Sequence, residues 1–390
     1  MKYNFDEVID RSGTNTIKLE RLETMFGRND LIPLWVADMD FLSPPEITKA
    51  LIERDEHGLF GYTLPSQGYY NSIINWLQNR HSYEVKQEEL TFVPGVVKGF
   101  AFAMDAFTNE GDAVIIQPPV YHPFKLVTEA LNRKVVNNPL VFEDGNYRMD
   151  FDDLENKIKD SGAKMLIFCS PHNPVGRVWT KEELSKLAEI CYDNNVLVIS
   201  DEIHSDLAVF GNKHLPFATV SEKAKQNSIT LMAPSKTFNI AGIVSSFAVI
   251  HNKEIQDKYL AFLSPRELDK GTIPAYVATE AAYNEGGEWL DAAMDYIEGN
   301  IEFVNNYLKE NIPQIYVVKP EAMFLLWLDC CGLGLKHSEL EDLFVNKAKL
   351  ALNSGIMFGK EGYGFMRLNV GVPRSVLEKA LNNLSKAVNG

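Results

Sequence analysis

The sequence predicts an α/β chain: a mostly parallel sheet covered by helices on both faces, with a smaller α/β unit toward the C-terminus. Three observations predict it. Mostly apolar runs at 165–169, 196–200 and 228–232 are too short for buried helices and read as strands packed on both faces. Helical patterns lie between several of these runs, which is the alternation that parallel strands require. The 390 residues are enough for one large core and a second, smaller one.

Taken in order, residues 1–45 form an irregular arm, rich in turns and closed by Ser43-Pro44-Pro45, that is expected to join the small domain. A helix over 46–58 leads through Gly58-Leu59-Phe60-Gly61-Tyr62-Thr63 into an amphipathic helix over 67–81. The strand Leu90-Thr91-Phe92-Val93 then gives way to Pro94-Gly95 and another helix, and a strand at 113–116 precedes Pro118-Pro119-Val120-Tyr121. The runs at 165–169, 196–200, 228–232 and 246–250 complete a large domain over 46–285. A long helix links it to a small domain, 286–390, with strands near 315–318, 323–329 and 365–369.

Composition narrows the function. The chain is 45% hydrophobic and 23% charged, as globular proteins are, and its net charge of −15 disfavours nucleic-acid or anionic-membrane partners. Cys169, Cys191, Cys330 and Cys331 lack metal-site spacing and read as reduced thiols of a cytoplasmic protein. No signal-peptide pattern opens the sequence, and no run approaches the roughly 20 apolar residues of a membrane span.

The polar residues at the strand ends carry the chemistry. Ser235-Lys236 follows one run, Asp201-Glu202-Ile203-His204 follows another, and Ser170-Pro171-His172-Asn173 follows a third. In a parallel sheet, ligands bind outside the carboxyl ends of the strands. An amine able to form an imine, a carboxylate for a protonated pyridine nitrogen and an amide donor together suit pyridoxal 5'-phosphate. Lys236 is the imine lysine and Asp201 the nitrogen partner, although Asp201 also fits a helix cap. Asn173 and His204 are donors for the ring oxygen, and Glu202 faces the other way. Gly95, Val96 and Val97 open a helix whose free amides suit a phosphate. Tyr121 fits a ring-stacking aromatic or a packed loop residue. Arg367, inside an apolar strand, fits a substrate carboxylate or an internal ion pair.

With these residues in view, the chain resembles the fold-type I pyridoxal-phosphate enzymes of the class I/II aminotransferase superfamily, and within them the MalY/PatB group of cystathionine β-lyases (C–S lyases). The resemblance runs nearly end to end. It rests on Leu34-Trp35-Val36-Ala37-Asp38-Met39-Asp40-Phe41, Gly61-Tyr62-Thr63, His172-Asn173-Pro174-Val175-Gly176, Ser200-Asp201-Glu202-Ile203-His204 and Ser235-Lys236-Thr237-Phe238-Asn239. It implies the roles given above and adds three expectations. Backbone near Ala37 lines the substrate pocket, Ser235 helps hold the phosphate, and Tyr62 reaches the phosphate of the other subunit in a homodimer with shared sites. Three departures stand out. Val244 and Ala233 occupy positions where aminotransferases commonly carry arginine and serine, and Met323-Phe324 replaces Thr-Tyr.

The implied activity is β-elimination from S-substituted cysteines, cystathionine above all, to thiol, pyruvate and ammonia. Lys236 takes the Cα proton and Asp201 supports the ring that holds the electrons. An aminotransferase is the alternative on the same fold, and a ligand-sensing protein the alternative outside catalysis. Val244 and His204 favour the lyase.

Overall fold

The computed structural model describes residues 3–390. Its large sheet has seven strands in the order Leu90–Val93, Ser246–Val249, Ser228–Met232, Leu197–Asp201, Met165–Cys169, Ala113–Ile116 and Lys134–Asn137. Only Ser246–Val249 runs against its neighbours; all other directions agree. The central strands are buried along their whole length, which explains their unbroken apolar sequences. Helices cover both faces. Against one lies Val96–Phe107, whose Phe100, Ala103 and Met104 pack with Val114, Ile167 and Ile229. Against the other, Leu184, Leu187 and Ala188 of Lys181–Asp193 pack with Leu166 and Phe168.

Local signals set the element ends. The helix Gln67–His81 starts at Ser66, whose hydroxyl accepts from the Tyr69 amide, and Lys181–Asp193 starts at a Thr180–Glu183 capping box. Its C-terminal stop matches expectation, and the preceding helix runs Pro45–Glu56, two residues short of the predicted end at 58. The strand expected at 196–200 is shifted by one residue to Leu197–Asp201, so Asp201 closes the strand and is not a residue beyond it. The edge strand Lys134–Asn137 and the hairpin Val141–Glu143 with Asn146–Arg148 had no sequence signal, because their exposed charged residues break the apolar pattern.

The 25-residue helix Gly287–Asn311 leads to a four-stranded antiparallel sheet ordered Tyr316–Val317, Leu325–Asp329, Phe365–Asn369 and Asn353–Ser354. The arm joins this part of the chain: Ile32–Pro33 pairs in parallel with Leu350–Ala351. Met323, expected in a strand, instead turns with φ 76° and donates its amide to Leu207 O at 2.7 Å, so the strand begins at Leu325. No helix is long and apolar enough to cross a membrane among the described residues.

Candidate active site

The carboxyl ends of five strands of the large sheet, and the amino end of the reversed one, meet at a single edge. The loops leaving that edge line a cavity of about 440 Å³. Lys236 lies in the single turn Pro234–Thr237 just after its strand, and its Nζ donates to Ala37 O at 2.6 Å. Asp201 is buried, and its Oδ1 accepts from the Ile203 amide at 3.2 Å. Cys169 pairs with Asp201 across the ladder and Asp201 with Leu231, so neighbouring strands deliver amide, carboxylate and amine side by side. His204 is buried, with its Nδ1 unpartnered.

Arg367 reaches the same cavity from the small sheet. It is flanked across the ladder by Trp327 and Asn353. Its guanidinium donates to Asn173 Oδ1 at 3.0 Å, Trp35 O at 3.0 Å and Asn353 Oδ1 at 2.5 Å, and lies over the Phe358 ring at 4.9 Å. Every one of these partners is neutral. The internal ion pair is therefore ruled against among the described residues, and a buried cation faces the cavity without a counter-charge. That is costly unless an anion binds there. Arg367→Leu is expected to raise the apparent KM roughly 10–150-fold, corresponding to the loss of about 1.5–3 kcal/mol. Substrate saturation curves check this, and an unchanged KM would make Arg367 structural.

Burial dominates the electrostatics. It lowers the Lys236 amine to about 8 against the pull of Asp38, with Arg367 pushing down and Asp201 up. It raises the Asp201 carboxyl to about 7, opposed by the Ile203 amide, helped by the Glu202 charge and opposed again by Lys236. A cationic ring nitrogen beside Asp201 would restore its charge. Burial also lowers His204 to about 3, with Lys236 and Arg367 adding to it, and lowers His172 to about 4.

These shifts predict the acid limb of stability. Imidazoles titrate near 6.5 when unfolded, so the two buried histidines contribute stability that is present above that pH and lost as pH falls toward 4. Asp201 acts oppositely: its contribution is present below 3.8 and lost as pH rises through about 7. Two imidazoles outweigh one carboxyl. The urea midpoint of the cofactor-free protein is expected to fall between pH 6.5 and 4.5, and a rising midpoint would refute this balance.

Gly95, with φ 106°, turns the chain into the helix Val96–Phe107, whose first amides open at the other end of the cavity. A Cβ at Gly95 would sit 3.6 Å from Val244 Cγ1, so an aliphatic group closes this end. Ala233 is buried beneath it, and Ser235 remains in the lining. Tyr121 lines the opposite wall, its hydroxyl held neutral chiefly by burial.

The cavity thus gathers Lys236, Asp201, Asn173, His204, Tyr121, Gly95, Val96, Val97, Ser235, Ala37 and Arg367. Tyr62 is not among them; it stands fully exposed on the loop between two helices. Sequence reasoning missed the residues that hold the arm over the cavity. Asn369 Nδ2 donates to Val36 O and Asp38 O, both at 2.6 Å, and Asn239 bonds Met39 and Phe41 backbone at 2.8–2.9 Å. Beneath them the buried Lys18 meets Asp40 at 2.8 Å, and Arg11 meets Asp38 and Asp40, both at 2.7 Å. A lysine in an amphipathic segment gives no local sign that it is buried. Glu202, facing away as expected, accepts from Ser200 at 2.7 Å and the Phe217 amide at 2.9 Å, and meets His214 at 2.7 Å.

The donor set suits a ligand with an electrophilic carbon at Lys236, a basic ring nitrogen at Asp201, a ring oxygen near Asn173 and an anionic tail at the helix start. Residues 29–384 match the family described as aminotransferase class I and II. The chain belongs to this family. It is 44% identical to cystathionine beta-lyase PatB of Bacillus subtilis (strain 168) over 385 residues, covering 99% of this chain and 100% of PatB. Cystalysin from Treponema denticola, whose crystal structure contains a pyridoxal 5'-phosphate cofactor, superposes with a TM-score of 0.96 at 36% identity, covering 100% of this chain and 99% of cystalysin. The PLP-bound C–S lyase from Staphylococcus hominis gives a TM-score of 0.92 at 34% identity, covering 100% of this chain and 98% of that one.

Proposed function

We propose that this chain is a pyridoxal-phosphate-dependent carbon–sulfur β-lyase that cleaves S-substituted cysteines, cystathionine among them, to thiol, pyruvate and ammonia. One observation carries the site assignment: an uncompensated Arg367 guanidinium, the Lys236 amine and the Asp201 carboxylate share one cavity. Full-length similarity to a cystathionine β-lyase and to C–S lyases supports the reaction class.

When bound, the cofactor would supply an electron sink for the carbanion formed at the substrate Cα. Lys236 would hold it covalently, Asp201 would face its ring nitrogen, Asn173 and His204 its ring oxygen, and Tyr121 its ring face. The amides of Val96 and Val97, with Gly95 and Ser235, would hold its phosphate. Arg367 binds the substrate carboxylate and so fixes the Cα–H toward Lys236, whose free Nζ takes that proton. Its lowered pKa leaves much of the amine unprotonated at neutral pH and above, as a base must be. Asn173 and Asn353 hold the Arg367 fork, and Ala37 O orients Lys236.

Aminotransferase activity starts from the same proton abstraction, and the family name leaves room for it. Incubation with cystathionine, alone and with a 2-oxo acid, tests the two: thiol and pyruvate formed without the oxo acid support the lyase. A new amino acid formed only with the oxo acid would replace it with the transferase.

The same proposal includes a cytoplasmic homodimer, divided into an arm to residue 45, a large domain to 285 and a small one beyond. All four cysteines are free, which supports a reducing compartment. Leu59, Phe60, Tyr62 and Leu64 form an exposed apolar stretch, 65–111% accessible, which supports contact with a second copy. In that dimer Tyr62 serves the partner's phosphate site, where Val244 supplies no charge. Mixing exchanging Tyr62→Ala and Lys236→Ala proteins is expected to restore activity, since a hybrid dimer carries one intact site. No recovery, or a monomeric mass, would refute the shared site.

A further inference from the structure

A second cavity, about 470 Å³, lies behind the wall formed by Tyr121 and His122, both of which line the two cavities. The backbone fixes this wall: the Val120 amide donates to Phe358 O at 2.9 Å and the Leu140 amide to Pro118 O at 2.8 Å. Phe358 stands between Arg367, which lies over its ring at 4.9 Å, and His122, 6.3 Å from it centre to centre. A substrate anchored by its carboxylate on Arg367 therefore has this wall beside it.

Two buried atoms here lack partners: Nδ1 of His122 and Oε1 of Glu361. The Glu361 carboxylate folds over Gly359, where an added Cβ would meet its Oε2 at 2.7 Å. Ile116, Val120 and Phe358 make the floor apolar, while Lys125, Lys360 and Glu129 stand with Glu361 among the lining residues. Two cations and two anions around an apolar floor match a ligand that carries both charges on a short aliphatic stem. A plain alkyl group would cover the floor but leave Glu361 Oε1 unpaired.

We infer that this second cavity receives the leaving half of the substrate and selects thioethers whose leaving thiol itself bears an ammonium and a carboxylate. In that arrangement Glu361 takes the distal ammonium and Lys125 or Lys360 the distal carboxylate. The neutral His122 ring, its proton affinity lowered by burial and by Arg367, offers an N–H toward the sulfur without transferring charge. The assignment rests on the β-lyase reading of the neighbouring cavity.

The test compares kcat/KM for cystathionine, S-butylcysteine and S-methylcysteine in the wild-type holoenzyme and in Glu361→Gln and Lys360→Met. The wild type is expected to prefer cystathionine over S-butylcysteine. Glu361→Gln is expected to lower the cystathionine to S-methylcysteine ratio about tenfold, as the loss of one charged hydrogen bond would. An unchanged ratio in both variants, or equal wild-type use of cystathionine and S-butylcysteine, overturns the assignment. If a variant fails to fold, the wild-type comparison still decides. Crystals of Lys236→Ala holoprotein with cystathionine give an independent readout: the distal ammonium should lie against Glu361, and density placing it elsewhere refutes the subsite. Absence of thiol release from all three substrates would instead overturn the lyase reading, and this subsite with it.

Discussion

Replacing Lys236 with alanine is expected to reduce turnover roughly 10⁴-fold or more, because one change removes both the covalent anchor and the Cα base. The fold should survive. The side chain makes one hydrogen bond, to Ala37 O at 2.6 Å, and ends in a cavity, so its removal creates no packed void. Stability should change by about 1–2 kcal/mol or less. The arm over the site keeps its other ties, through Asn239 and Asn369. Borohydride treatment followed by peptide mapping checks the same residue from another side: in the wild type the label should sit on Lys236. A label on another lysine, or a variant retaining appreciable turnover, would remove the centre of the proposal.

Asp201→Asn is expected to slow turnover by roughly 10²–10⁴-fold, since an amide cannot stabilise a protonated ring nitrogen as a carboxylate does. The substitution separates charge from structure. The Asn oxygen can still accept from the Ile203 amide, so the strand end keeps its local bond. Without cofactor the variant should be the more stable protein above pH 7. Burial raises the native carboxyl from 3.8 to about 7, a shift worth about 4 kcal/mol against folding at high pH, and the amide avoids it. Urea titration at pH 8 and at pH 4 checks this, with the advantage disappearing at the lower pH. Near-normal turnover would leave Asp201 as nothing more than a cap.

The two kinds of site residue differ in how visible they were. Lys236, Asp201 and Asn173 each follow an apolar run within a few positions, so strand period and the rule that ligands sit at carboxyl ends located them together. Arg367 was visible for a different reason, as a charge inside an apolar strand. Its surroundings were not. Asn173, Trp35 and Asn353 come from the large sheet, the arm and a neighbouring small-sheet strand, and nothing in a local window links them. The alternatives of ion pair and ligand site were therefore open until every partner proved neutral.

The sequence alone determined the α/β class, the strand cores and the chemistry at the strand ends, because these depend on short-range apolar periodicity and on residue type. Tertiary structure decided what depends on contacts distant in the chain. It brought Arg367 across to Asn173, pinned the arm between Asn239 and Asn369, and buried Lys18 against Asp40. It also left Tyr62 outside the cavity of its own chain and opened a second cavity behind Tyr121 and His122. The physical reason is that a side chain's hydrogen-bond partner and degree of burial are set by packing between elements. The same lysine or arginine in the sequence is compatible with solvent, an ion pair or an empty binding pocket until the chain has closed around it.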